Sequence, residues 1–178
     1  MLRRFLDRLY SVSGALATIC LALIGALVLA QIIGRQLGII VPSADDFAGY
    51  AMAASAFLGL AYAFRRGAHI RVTLLISRQP PGRRHAMEIA LLVVATATSG
   101  YLAWHLSALA LESYEFGDRA MGMIPTPLWM PQSIMAFGAI VMVIACLDEL
   151  VTTARGGTPR YVLAEEDETA ATKGQREG

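Results

Sequence analysis

Three histidines and two cysteines are the side chains of this 178-residue chain that could bind a metal or a haem. Cys20 and Cys146 both lie in long apolar stretches, without the close spacing of metal ligands, so we expect them to be small packing residues. His105 lies in the third apolar stretch, whereas His69 and His85 lie in the polar segment before it. No serine or threonine in the stretches has the histidine and carboxylate partners of a nucleophile. We therefore predict no catalytic residue, no metal site and no cofactor.

A basic segment with one histidine, Arg65–Val72, is the sharpest local pattern in the chain. Arginine donates from a planar fork to phosphates and carboxylates, and a mostly uncharged histidine would contribute a specific hydrogen bond. The charge by itself is equally consistent with contact to anionic lipid headgroups. We therefore predict a contact surface for a protein partner or for membrane lipids, formed by Arg66, His69, Ile70, Arg71 and Val72.

Charged residues are absent from four long apolar stretches, namely Leu9–Gly34, Phe47–Phe64, Ile89–Leu111 and Ala120–Leu147. A carrier that works alone usually needs polar or charged groups at mid-membrane for its solute or coupling ion. Gln31 and His105 are the main strongly polar residues inside the stretches. The sequence therefore argues against an independent carrier. The sequence shows no basic surface with interleaved aromatic residues, so it does not point to nucleic-acid binding.

Helices that cross a membrane are the elements that would position these residues. The stretches hold 26, 18, 23 and 28 residues. A helix rises ~1.5 Å per residue, so ~20 residues cross the ~30 Å of hydrocarbon. The second stretch is slightly short, but Arg65 and Arg66 can reach the surface from its end. We predict an all-α integral membrane protein whose four transmembrane helices form one compact bundle.

The basic residues alternate between the segments that the stretches separate. Lys and Arg number three before the first stretch, then one, six and one in the intervening segments, and four after the last. Basic residues are enriched on the cytoplasmic side of membrane proteins. The alternation therefore predicts a multi-pass membrane protein in which both termini and the middle loop are cytoplasmic.

Proline and glycine divide the chain between the helices. We predict spans at about 10–34, 47–65, 88–111 and 131–148, a cytoplasmic loop at 66–87, and a disordered cytoplasmic tail at 161–178 beyond a single domain of residues 1–160. Before Pro80, apolar residues alternate as in a strand. A lone strand near lipid would leave its backbone unpaired, so we favour a short interfacial helix in this loop. The first apolar run is too long for a cleaved signal peptide, so an uncleaved anchor is expected.

The loops on the predicted outer side are acidic. Asp45 and Asp46 follow Ser43, an arrangement typical of a helix start in which side-chain oxygens cap free amides. The same acids are equally suited to orienting a basic partner. We predict a docking surface on this outer side, formed by Asp45, Asp46, Glu112, Glu115, Asp118 and Trp129.

Two regions of the chain resemble a known family. The first runs from Gly34 to Leu75 and contains Arg35, Asp45-Asp46, Phe57–Ala61 and Arg66–Val72. The second contains Ile124-Pro125 and Trp129, then Leu147-Asp148, Arg155-Gly156, Pro159 and Tyr161. These residues resemble the small membrane subunit, DctQ-like, of tripartite ATP-independent periplasmic (TRAP) transporters. The chain departs from many members at Asp45-Asp46, where glutamate is frequent, and at Pro131-Gln132-Ser133.

The resemblance implies a function. Such systems take up organic acids across the bacterial inner membrane with an ion gradient. The small subunit is expected to hold a large membrane subunit in place and to form part of the periplasmic surface that docks a solute-binding protein. A small bundle without buried charges and rich in small packing residues fits a non-catalytic scaffold of this kind. Two alternatives remain open from the residues alone. One is a four-span membrane enzyme acting in the cytoplasmic leaflet, and the other is a stand-alone small channel or exporter.

Overall fold

The structure, a computed structural model, describes residues 2–65 and 81–156. Four helices occupy most of this part of the chain, each long and apolar enough to cross a membrane. The prediction of an all-α protein with four such helices is confirmed. The helices are α1 (Leu2–Gln36), α2 (Ala44–Arg65), α3 (Pro81–Glu115) and α4 (Trp129–Ala154).

Proline and glycine determine where several of these helices begin and end. Pro81 is the first residue of α3, a position where its missing N–H would have no helical partner anyway. Gly38 and Gly117 follow α1 and α3 with positive φ angles of 71° and 67°. After Gly117, the Asp118 N–H donates to the Ser113 carbonyl at 3.0 Å and closes the last turn. Only glycine adopts this left-handed conformation without strain, so both helices stop where the sequence places it.

The helices pack side by side in the order α1, α2, α4, α3, and α1 barely touches α4. In the described part of the chain this is an open row, not the compact bundle that we expected. The apolar faces of α1 and α3 can remain exposed because lipid, unlike water, provides little drive to close a bundle. The row consequently has two edges, α1 and α3, and on each of them one side packs against no other helix within residues 2–65 and 81–156.

Small residues allow close approach at each contact in the row. Between α1 and α2, the Ser13 hydroxyl donates to the Leu58 carbonyl at 2.6 Å, and a Cβ on Gly59 would lie 3.7 Å from the Ala17 Cβ. Between α2 and α4, Gly138 lies directly against the backbone of Phe57. Between α4 and α3, a cluster of buried residues fills the contact: Ala103, Leu106, Ala136 and Ala139.

The four helices alternate in direction along the chain. The end of α1 therefore lies beside the start of α2, and the end of α3 beside the start of α4. We call this the acidic end, because it carries Asp45, Asp46, Glu112, Glu115 and Asp118. The start of α1 and the end of α4 lie at the other end of the row, which we call the basic end after Arg8, Arg65, Arg83 and Arg155.

Candidate partner-binding surfaces

The two loops of the acidic end, residues 37–43 and 116–128, are held together. The backbone N–H of Ile124 donates a hydrogen bond of 2.8 Å to the Ser43 hydroxyl. The Asp46 carboxylate lies so close to Gly122 that any side chain at position 122 would overlap it. Within the second loop, Arg119 and Pro127 form a single antiparallel bridge. The acidic end is therefore one continuous surface and not two independent loops.

Ser43 was expected to cap α2 with its side-chain oxygen, but it has a different role. Its backbone adopts a positive φ of 53°, and its carbonyl accepts the first helical hydrogen bond from the Phe47 N–H at 3.1 Å. Its hydroxyl accepts the hydrogen bond from Ile124 instead. The side chain thus joins two distant segments, because the loop at 116–128 presents an amide that needs a partner.

Asp45 and Asp46 differ from the other predicted docking acids. Asp45 accepts a hydrogen bond of 2.8 Å from the Gln31 side chain, which links α1 to α2. Asp46 is half-buried against Gly122. Both acids therefore have structural contacts of their own, although Asp45 is exposed. Glu112, Glu115 and Asp118 are also exposed, at the end of α3.

Trp129 is half-buried, and its ring packs edge-on against Tyr114, with centroids 5.7 Å apart and planes at 89°. This geometry is favourable for an aromatic pair and connects the start of α4 to the end of α3. A shallow cavity of about 320 Å³ lies beneath the pair, lined in part by Ser107, Ala110 and Ser133. Trp129 therefore helps to shape the acidic end.

A larger cavity of about 650 Å³ opens between the two loops of the acidic end. Its polar wall includes Gln31 and Arg35, and its other wall is the loop segment at 121–123. Around it, Ile40, Met121 and Met123 are strongly exposed. A surface that combines exposed carboxylates with exposed apolar side chains has the composition of a protein-binding surface.

At the basic end, Arg65 connects α2 to the start of α1. Its guanidinium lies 2.8 Å from the Asp7 carboxylate and 4.6 Å from the centroid of the Tyr10 ring. The sequence suggested only that Arg65 would reach toward the membrane surface. Its partner Asp7 is 58 positions away, and nothing in the local pattern marks that pairing.

Two carboxylates at the basic end are buried, which the sequence did not lead us to expect. Glu88 on α3 is 7% exposed and Glu149 on α4 is 3% exposed. Both lie just outside the uncharged stretches, on parts of α3 and α4 that continue past those stretches. The expectation of a protein without buried charges is therefore wrong at this end, although the stretches themselves contain none.

The predicted surface Arg66, His69, Ile70, Arg71 and Val72 lies outside the described residues, as do most of the predicted interfacial loop and the tail at 161–178. The residues that flank this segment, Arg65 at the end of α2 and Pro81 at the start of α3, both lie at the basic end.

The fold and these surfaces define a small multi-span membrane protein. In residues 2–65 and 81–156, no group of three or more histidine, cysteine or acidic side chains could hold a metal ion. A family model described as "Tripartite ATP-independent periplasmic transporters, DctQ component" matches residues 24–156, about three quarters of the chain. The chain belongs to this family and is a component of a TRAP transporter. No curated protein and no solved structure matches it.

Proposed function

We propose that this chain is the non-catalytic scaffold subunit of an ion-gradient-driven TRAP transporter that takes up organic acids across the bacterial inner membrane. Its partners would be a large membrane subunit and a periplasmic solute-binding protein. The family match supports a place in such a complex. The observation that carries the scaffold role is the absence of charged residues from all four apolar stretches, which leaves no charged site for a solute or coupling ion at mid-membrane.

The acidic end is the proposed periplasmic docking surface. Its exposed carboxylates can orient a basic patch on the solute-binding protein, and its exposed apolar side chains can pack after contact. The hydrogen bond between Ser43 and Ile124 supports this role, because a surface held in one arrangement loses less entropy on binding. The basic end would then be cytoplasmic, together with both termini.

Reconstitution into liposomes tests the proposed function. The small subunit alone should transport no organic acid, and the large subunit with the solute-binding protein should transport only when the small subunit is present. Ion-driven uptake by the small subunit alone would favour a stand-alone carrier or channel. Turnover of a lipid or thiol substrate by the isolated chain would favour the membrane enzyme.

Reporter fusions test the proposed orientation. A periplasm-active reporter should be active when fused near Ile40 or Asp118, and a cytoplasm-active reporter should be active near Thr73 or Gly157. A periplasmic Thr73 would reverse the assignment of both ends and remove the basis for docking at the acidic end.

A further inference from the structure

The two edges of the helix row differ in chemistry. One side of α3 packs on α4 through buried residues that include Ser99, Ala103 and Leu106. Besides the indole of Trp104, three side chains with polar groups lie near one another on the opposite, exposed side of α3: Thr98, Tyr101 and His105. Tyr101 is 70% exposed, and its ring contacts the His105 ring with centroids 4.3 Å apart.

These three residues lie in the middle of the proposed membrane span. The uncharged stretch Ile89–Leu111 is 23 residues long and its central residue is Gly100. At ~1.5 Å per residue, Tyr101 is within about 2 Å of that centre, and His105 is about 8 Å from it. Tyrosine in membrane proteins is normally enriched ~15 Å from the centre, at the boundary with water. An exposed tyrosine beside a histidine near the centre is therefore unusual for a surface that faces lipid.

Several other polar side chains of α3 and α1 have hydrogen-bond partners within the protein. On α3, the hydroxyls of Thr96 and Ser107 donate to carbonyls one turn earlier, at 2.7 Å in both cases. On α1, Thr18 donates to the Gly14 carbonyl and Gln31 to Asp45. The rest of the exposed α1 face is largely aliphatic and is well suited to lipid: Val12, Leu16, Ile19, Leu21, Leu23, Val28, Leu29, Ile32 and Ile33.

We propose that the exposed side of α3, centred on Thr98, Tyr101 and His105, binds a transmembrane helix of the large subunit. This inference rests on the proposed function. Lipid tails offer no hydrogen-bond partners, whereas a neighbouring helix can supply them at this depth. The α1 edge of the row faces lipid.

The shape of the surface favours the large subunit over a second copy of this chain. Tyr101 and Trp104 are bulky and 70% and 74% exposed, so they project from this side of α3. Two copies meeting through this side would oppose bulky side chains to bulky side chains and keep the helices apart. A helix with small residues opposite Tyr101, and a hydrogen-bonding side chain within reach of His105, fits the surface better.

Site-specific photocrosslinking in the assembled complex tests this inference. The photoreactive p-benzoylphenylalanine is placed at Tyr101 and, as a matched control, at Leu21 on α1. Leu21 is 63% exposed and lies at a similar depth near the middle of its own stretch. The Tyr101 position should give an adduct with the large subunit, and the Leu21 position should give none.

The outcomes separate this inference from the proposed function. If the large subunit co-purifies but is crosslinked from Leu21 and not from Tyr101, the assignment of the edges is wrong and the scaffold role stands. An adduct of two copies of this chain from Tyr101, or an adduct with lipid alone, also overturns the assignment. If the wild-type chain retains no large subunit, the proposed function fails, and this inference fails with it.

A double variant provides a second measurement. Tyr101→Leu with His105→Leu makes the side of α3 resemble the aliphatic face of α1, and it should lower the amount of large subunit that co-purifies by at least threefold. Ile19→Ala with Leu23→Ala on α1 is the control and should leave that amount unchanged. Equal retention of the large subunit by both double variants would contradict the inference.

Discussion

Gly138→Ala is expected to destabilise the contact between α2 and α4. A Cβ at this position would lie 2.6 Å from the Phe57 carbonyl carbon, 2.7 Å from its oxygen and 2.9 Å from the Leu58 nitrogen. All three atoms belong to the backbone, so no rotation of a side chain relieves the overlap. To restore the 3.4 Å of ordinary contact, α2 and α4 must separate locally by about 0.8 Å.

The expected magnitude combines two opposing effects. Overpacking a well-packed contact costs ~1–3 kcal/mol, and a contact with backbone atoms falls in the upper part of that range. Alanine favours a helix over glycine by up to ~1 kcal/mol. The net loss should be about 1–2 kcal/mol, which lowers the folded-to-unfolded ratio roughly 5- to 30-fold.

Gly100→Ala is the matched control, because a Cβ at this position of α3 would meet no atom within 4 Å. It carries the same gain in helix propensity without the overlap, so its stability should equal or slightly exceed that of the wild type. The assay is titration of the purified protein with SDS in mixed micelles, followed by tryptophan fluorescence. If both variants unfold at the same SDS fraction, the close packing of Gly138 on Phe57 does not govern stability and the reasoning is refuted.

Three further predictions concern the two ends of the helix row. Asp7→Asn removes a 2.8 Å ion pair whose acid is 43% exposed, so it should cost no more than ~1 kcal/mol in the SDS titration. Neutralising the exposed acids Glu112, Glu115 and Asp118 should slow solute uptake more at low salt than at high salt, because exposed charges are screened over ~10 Å at 0.1 M. Arg71→Lys and His69→Ala should weaken co-purification with the large subunit while membrane insertion stays normal.

Each of these predictions has a control and a result that counts against it. Arg8→Gln, at an exposed position of α1, controls for the loss of one charge. If Asp7→Asn lowers the stability as much as Gly138→Ala does, the ion pair contributes more than this prediction allows. An unchanged salt dependence would leave the exposed acids without a docking role. If Arg71→Lys and His69→Ala retain the large subunit as well as the wild type does, their segment serves only topology and lipid contact.

The four helices could be predicted from the sequence because, inside a membrane, the secondary structure of a segment depends mainly on the residues of that segment. Each backbone group in hydrocarbon must be satisfied within its own helix, so a long uncharged stretch is sufficient evidence for one. The predicted spans were shorter than the helices, because α1, α3 and α4 continue past the apolar stretches from which the spans were predicted. Gly38 and Gly117, whose left-handed turns follow α1 and α3, were not part of that prediction. The acids at the end of α3 were predicted as outer-loop residues from their position alone, and the structure leaves them exposed.

The order of the helices and the pairing of their polar groups depended on tertiary structure. All four stretches are similarly apolar, so nothing local shows that α4 lies between α2 and α3. With this order Glu149 is buried and Tyr101 is exposed, although the neighbouring sequence of neither residue indicates which of the two it will be. Ser43 and Ile124, or Asp7 and Arg65, meet across 81 and 58 positions. Such contacts arise only when separate helices are assembled, because each partner satisfies a group that its own segment cannot.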